Sequence, residues 1–261
     1  MRQPLAIASE TPLRSHWVVR TRAEVPPGSA WLGEAELAQL ARLRFPKRRA
    51  DWRVGRWAGK HALAQCLRER GIPPVLSAIE ILPAPDGAPE ARIAAVDLAL
   101  SISISHSGDT GFAVACGGAI PLGCDVERVE KRSPRFVNDY FTPREALFVD
   151  HSPEASRPFL ASLLWSAKES ALKARRVGLR ADTRTVEVRL AGDRFGGRCG
   201  LLTLRCVEPV ETLRGCWWVA NGFVYTIASS EALCEHAPVG DAGDWAVAEE
   251  GAGLPRPEVM G

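Results

Sequence analysis

Leu122, Cys124 and Val126 are apolar, and Gly123, Asp125 and Glu127 alternate with them. A period of two predicts a strand that carries both carboxylates on one face. Residues 101–105 alternate Ser and Ile just as strictly, His106 to Gly111 is a polar turn, and 112–116 alternates again. This predicts a hairpin with His106 at a strand end. A period near 3.6 marks helices at 30–43, 47–70 and 159–175. In the second, Ala50, Val54, Trp57, Ala58 and Ala62 gather on a core face, while Arg49, Arg53, Arg56 and Lys60 stack opposite. In the third, Leu160, Leu163, Leu164, Ala167, Ala171 and Ala174 form the core face, and Glu169 and Lys173 project from the other side with Trp165 beside them. Thr142, Pro143 and Glu145 form a capping box that opens a short helix. Further strands are expected at 16–22, 79–82, 186–190, 201–207, 217–220 and 223–228, the last two turning through Asn221 and Gly222. Residues 83–89 read as a loop.

These elements fall into two comparable halves, helix and strands twice over, hinged near Gly118. The expected organisation is a lobe over 1–118, a second over 119–230, and an acidic tail over 231–261 without periodicity, expected to be disordered. With 46% apolar residues in 261, the chain can bury a proper core. Its amino end does not resemble a leader and no apolar run is long enough to cross a bilayer, so a cytoplasmic chain with no membrane partner is expected. The seven cysteines are odd in number and none are at zinc spacing, which favours reduced, mostly buried thiols. The net charge of +2 is unevenly spread: residues 1–70 hold fourteen Lys or Arg against six Asp or Glu, and 231–261 hold one against seven. The amino-terminal half therefore suits an anionic partner.

Each candidate has two explanations. Asp125 and Glu127 fit a solvated strand face or a hard divalent cation, with Gly123 admitting a close backbone or ligand. The basic helix face fits solvent or an anionic ligand; from Arg42 to Lys60 eight bases meet only Asp51, which favours the ligand. His106 fits an exposed turn or, flanked by Ser105, Ser107 and Gly108, a phosphate donor. Glu169 and Lys173 fit an ordinary i, i+4 ion pair or a catalytic pair.

Taken together, Gly123-Cys124-Asp125-Val126-Glu127 and then Trp165, Lys168, Glu169 and Lys173 resemble the two signature motifs of the 4′-phosphopantetheinyl transferases, in the larger surfactin-synthetase-activator type. Ser105 and His106 stand upstream where that family has them. The resemblance implies an α+β fold of two similar lobes related by pseudo-twofold symmetry, with the nucleotide in the cleft between them, in a monomer. It also implies transfer of 4′-phosphopantetheine from coenzyme A to a serine of an apo acyl or peptidyl carrier protein, releasing 3′,5′-ADP. Asp125, Glu127 and Glu169 would hold Mg2+, with Mn2+ as the alternative. Asp125, Ser105, His106, Arg49, Arg56 and Lys173 would contact coenzyme A, and Glu169 and Lys173 would be catalytic. One departure is that Asp86 and Ala88 flank Gly87 where the family often has a lysine; Arg92 is the candidate replacement. Residues 128–148, with Arg128, Lys131, Arg132, Arg135 and Arg144 among aromatics, are the expected carrier face.

A metal-dependent phosphodiesterase or nuclease would also use three carboxylates and a basic helix. It calls for a wider basic surface and acids for a second metal, so no nucleic-acid partner is expected. A non-catalytic module binding coenzyme A or carrier is the other alternative, and it predicts that Glu169→Gln is harmless.

Overall fold

Pro46 at the first helical position and Gly71 at φ 69° just past the end bound the longest helix among the described residues. This computed structural model describes residues 14–94, 97–191 and 198–231. Its first lobe runs β1 (Ser15–Thr21), α1 (Glu34–Arg42), α2 (Pro46–Glu69), β2 (Ile79–Pro83), β3 (Pro89–Ile93), β4 (Leu100–Ser107) and β5 (Thr110–Gly117). Its second runs β6 (Leu122–Arg128), α3 (Pro134–Tyr140), α4 (Pro143–His151), α5 (Arg157–Ala174), β7 (Val186–Leu190), β8 (Cys199–Val207), β9 (Val210–Ala220) and β10 (Phe223–Ser229). The fold is α+β, as expected. The acidic tail beyond Glu231 lies outside the described residues.

The two sheets follow one plan. In the second lobe the antiparallel order is β6-β10-β9-β8-β7. The first repeats it as β1-β5-β4, but there the ladder stops and β2 and β3 pair only with each other. The Asn221-Gly222 turn between β9 and β10 has both residues at positive φ, 50° and 75°, which matches strand twist in a tight hairpin. Three elements differ from expectation. The strand expected at 217–220 begins at Val210. The loop ends earlier, because β3 begins at Pro89 on an edge where a missing N–H costs little. The mixed segment after Arg128 contains α3, capped by Ser133, whose hydroxyl accepts the Phe136 N–H at 3.1 Å.

Alternation along β5 sorts large from small side chains. Phe112, Val114 and Cys116 enter the core between lobes with Cys124, Val126 and Tyr225, whereas Ala113 and Ala115 lie against α2. Along β6, Gly123 meets α5: a Cβ there would stand 1.9 Å from the Ser170 carbonyl oxygen. Its missing side chain thus admits a backbone rather than a ligand.

Each lobe also buries one ion pair. Lys60 meets Glu36 and donates to the carbonyls of Leu76, at 2.8 Å, and Ile79. Glu36 accepts the N–H groups of Gly33 and Ile81, at 3.1 and 3.0 Å. Lys168 meets Glu145 at 2.8 Å and donates to the carbonyls of Thr183, at 3.0 Å, and Val186. Glu145 accepts the N–H groups of Thr142 and Val188, both at 2.8 Å. Lys60 is therefore part of the core, and the basic face of α2 is narrower than the sequence implied.

Cys66 and Cys124 are buried, and burial pushes both thiols up to about 12. Among the described residues no helix is long and apolar enough to cross a membrane.

Candidate active site

The edge strand of the first lobe meets the first strand of the second. Ser103 Oγ on β4 accepts the Cys124 N–H at 3.0 Å, and one step along, the Ser105 hydroxyl donates to Asp125 Oδ1 at 2.7 Å. Period-two geometry that turns Cys124 into the core turns Asp125 toward α5, where Lys173 waits. Lys173 Nζ donates to Asp125 Oδ1 at 2.7 Å, to Ser105 Oγ at 3.0 Å and to the Cys124 carbonyl at 3.1 Å. Glu169, one turn earlier on α5, has an oxygen 3.8 Å from the same ammonium.

Glu127 completes the group. Its carboxylate accepts Trp165 Nε1–H at 3.1 Å and the Arg132 guanidinium at 2.9 Å. Sequence reasoning assigned Arg132 to the carrier face, but the structure turns it inward to Glu127 and Glu130. The other bases of that segment stay outside: Arg128, Lys131, Arg135 and Arg144 are exposed, and Tyr140 and Leu147 are 39% and 57% exposed on the same segment.

Three carboxylates at close quarters disturb one another. Burial and then Asp125 push Glu169 up to about 7, against the pull of Lys173. Burial and then Asp125 also raise Glu127, against Arg132 and Trp165. Burial works against the charge on Lys173, yet Asp125 and Glu169 more than offset it and hold its pKa above the ordinary value. Asp125 Oδ2 is buried without a hydrogen-bond partner among the described residues. Among those residues no three His, Cys, Asp or Glu side chains converge at metal-ligand spacing. The donor set still fits a hard cation: a bare carboxylate oxygen and mutual repulsion among acids are both relieved by one.

A cavity of about 660 Å3 opens next to this cluster, lined by Lys47, Arg48, Trp52 and Arg56 of α2, by His106, and by Gly87 and Pro89 of the β2–β3 turn. Burial holds the His106 imidazole below its ordinary value, which leaves it neutral at pH 7. Arg56 lies over the Trp52 ring at 4.9 Å; burial lowers its pKa to about 10, so it stays charged. Arg49 does not line this cavity: it donates to the carbonyls of Leu40 and Leu43, at 3.0 and 3.3 Å, at the end of α1. Arg53 is likewise spent on Ser29 and the carbonyl of Gly28. Lys47 and Arg48 were missed, although Pro46 could have found them. It starts the helix, so they occupy a first turn that holds no acid and whose N–H groups already favour an anion. Arg92 is an exposed residue of β3 opposite Glu80, and it does not line the cavity.

The structure thus defines an α+β protein with a carboxylate and lysine cluster beside a basic cleft. Residues 121–205, which hold Asp125, Glu127, Glu169 and Lys173, match the family model described as the 4′-phosphopantetheinyl transferase superfamily. No curated protein matches the chain. Similar solved structures include a Chronobacterium ammoniagenes ACPS-CoA complex, 21% identical, covering 40% of this chain and 95% of its own, with a TM-score of 0.34. A holo-(acyl-carrier-protein) synthase from Bacillus anthracis in complex with CoA (3′,5′-ADP) is 19% identical, covers 41% of this chain and 98% of its own, and has a TM-score of 0.36.

Proposed function

We propose that this protein transfers the 4′-phosphopantetheine group of coenzyme A to a serine hydroxyl of an apo acyl or peptidyl carrier protein, with coenzyme A bound between lobes 1–118 and 119–230. The observation that carries this is the cross-lobe cluster itself: Ser105 from one lobe and Asp125, Glu169 and Lys173 from the other, the last three within the segment that matches the transferase family.

Lys47, Arg48 and Arg56 offer fixed positive charge for the 3′-phosphate, and neutral His106 offers a donor for the pyrophosphate. Asp125, Glu127 and Glu169 would hold magnesium, or manganese in its place, which neutralises charge on phosphate oxygens when bound. Glu169 takes the proton of the incoming serine as its oxygen bonds to the β-phosphorus. The bond from that phosphorus to the bridging oxygen breaks, and the electron pair leaves with 3′,5′-ADP. Lys173 steadies the charge that grows on the departing oxygen. A carrier, as an acidic helical bundle, would meet Lys131, Arg135, Tyr140 and Leu147 on the face of α3 and α4.

The test is to incubate the protein with coenzyme A, magnesium and an apo carrier and to weigh the carrier. One phosphopantetheine group should be gained per carrier, with 3′,5′-ADP formed in equal amount. An unmodified carrier across a panel from fatty acid, polyketide and peptide pathways would overturn the proposal.

A further inference from the structure

Arg176, just past the last turn of α5, has φ 58°. That left-handed backbone is set by the helix end, where the Arg176 N–H bonds the Lys173 carbonyl at 2.9 Å and the Val177 N–H bonds that of Leu172 at 3.1 Å. Glycine takes such a position most readily, and here an arginine occupies it. The guanidinium crosses to the other lobe. Its Nε donates to Asp86 Oδ2 at 2.7 Å, and one terminal nitrogen donates to Asp86 Oδ1 at 3.1 Å and to Glu90 at 2.7 Å. Arg180 adds a bond to the Asp86 carbonyl at 3.1 Å.

These bonds fall on the turn between β2 and β3, the hairpin that no ladder joins to its own sheet. Gly87 and Pro89 of that turn wall the basic cavity, and they also wall a larger one, about 980 Å3, that runs on between the lobes. The tip of the hairpin is thus fastened by the opposite lobe.

We infer that Arg176 is a positioning residue for coenzyme A: by clasping Asp86 and Glu90 it holds the β2–β3 turn in place as a preformed wall of the cleft. This rests on the cleft being the coenzyme A site. A turn left unfastened would be in its binding position only part of the time, and the apparent affinity would fall by that fraction.

Arg176→Gly suits the test, because glycine accepts the same backbone while removing only the clasp. Amide hydrogen exchange at Gly87 and Ala88, whose N–H groups now bond the Ala84 carbonyl and Asp86 Oδ1, should accelerate in the free variant. By calorimetry its Kd for coenzyme A should rise about tenfold, while kcat at saturating coenzyme A stays within about twofold of wild type. Asp86→Asn should shift the Kd in the same direction. Unchanged exchange, or an unchanged Kd in a variant whose wild-type parent binds coenzyme A, would overturn the clasp alone. A wild-type protein that gives no heat with coenzyme A would sink the assignment of the cleft, and the clasp with it.

Discussion

Glu36 with Lys60 and Glu145 with Lys168 are built alike in the two lobes, down to the two carbonyls and two amides each pair satisfies. The residues one step along, His61 and Glu169, are not alike. Matching the lysines places Trp57 against Trp165, His61 against Glu169 and Gln65 against Lys173. On the strands, Val19 lies opposite Phe112 as Val126 lies opposite Tyr225, so Val18 corresponds to Asp125 and Arg20 to Glu127. The frame is repeated while the chemistry is present once. In the first lobe a valine, an arginine, a histidine and a glutamine stand where the second has its acids and its lysine. A buried ion pair satisfied by backbone groups fixes how a long helix sits on the strand that follows, and that requirement is common to both lobes.

The comparison is broken most severely at the lysines. Lys60→Met and Lys168→Met each strand a buried carboxylate and should each cost about 3–5 kcal/mol of stability in urea denaturation. A large loss in one lobe with little in the other would show that the two pairs are not equivalent. Next comes Glu169→Gln against His61→Gln. The former should lower kcat at least about a hundredfold with coenzyme A still bound, the range expected on losing a general base, and the latter should leave turnover nearly intact. Comparable losses would mean that the first lobe takes part in the chemistry.

The smallest effect sharpens the contrast between the same two positions. Burial, with Arg20 and Arg68, lowers His61 from 6.5 to about 4, and its Nε2 is buried without a partner among the described residues. The unfolded chain therefore binds the proton more readily than the folded one, and stability tied to His61 is full above pH 6.5 and is lost as pH falls toward 4. Measured as melting temperature, the drop from pH 7.5 to pH 5 should shrink in His61→Phe; an equal drop would show that His61 is not kept neutral.

Much of this was legible in the sequence because it is local. The long helices, the Ser-Ile hairpin and the Asn-Gly turn are written in period and turn chemistry, and the motif acids declared themselves by type and spacing. What escaped was set by partners distant in the chain. Lys60 belongs to the same periodic stripe as Arg53 and Arg56, and only Glu36, brought over by α1, removes it from solvent. Arg132 looked like one more surface base because the pull of Glu127 is tertiary. β3 was hidden because Pro-Glu-Ala-Arg-Ile, although it alternates apolar with charged residues, is only five residues long and opens on a proline that reads as part of the turn before it.

The ladder that is absent between β3 and β4 has a consequence for which part of the cleft wall can move. The lobes meet through Ser103, Ser105 and the aromatic core beneath them, and the β2–β3 hairpin adds the bonds of Asp86 and Glu90 to Arg176 and Arg180. What is free to yield there is the tip around Asp86 and Gly87, since Ile79 and Ile81 of β2 are buried in the core and bonded to the Lys60–Glu36 pair. Motion of this wall is then confined to one short turn, on the timescale of loops rather than of domains.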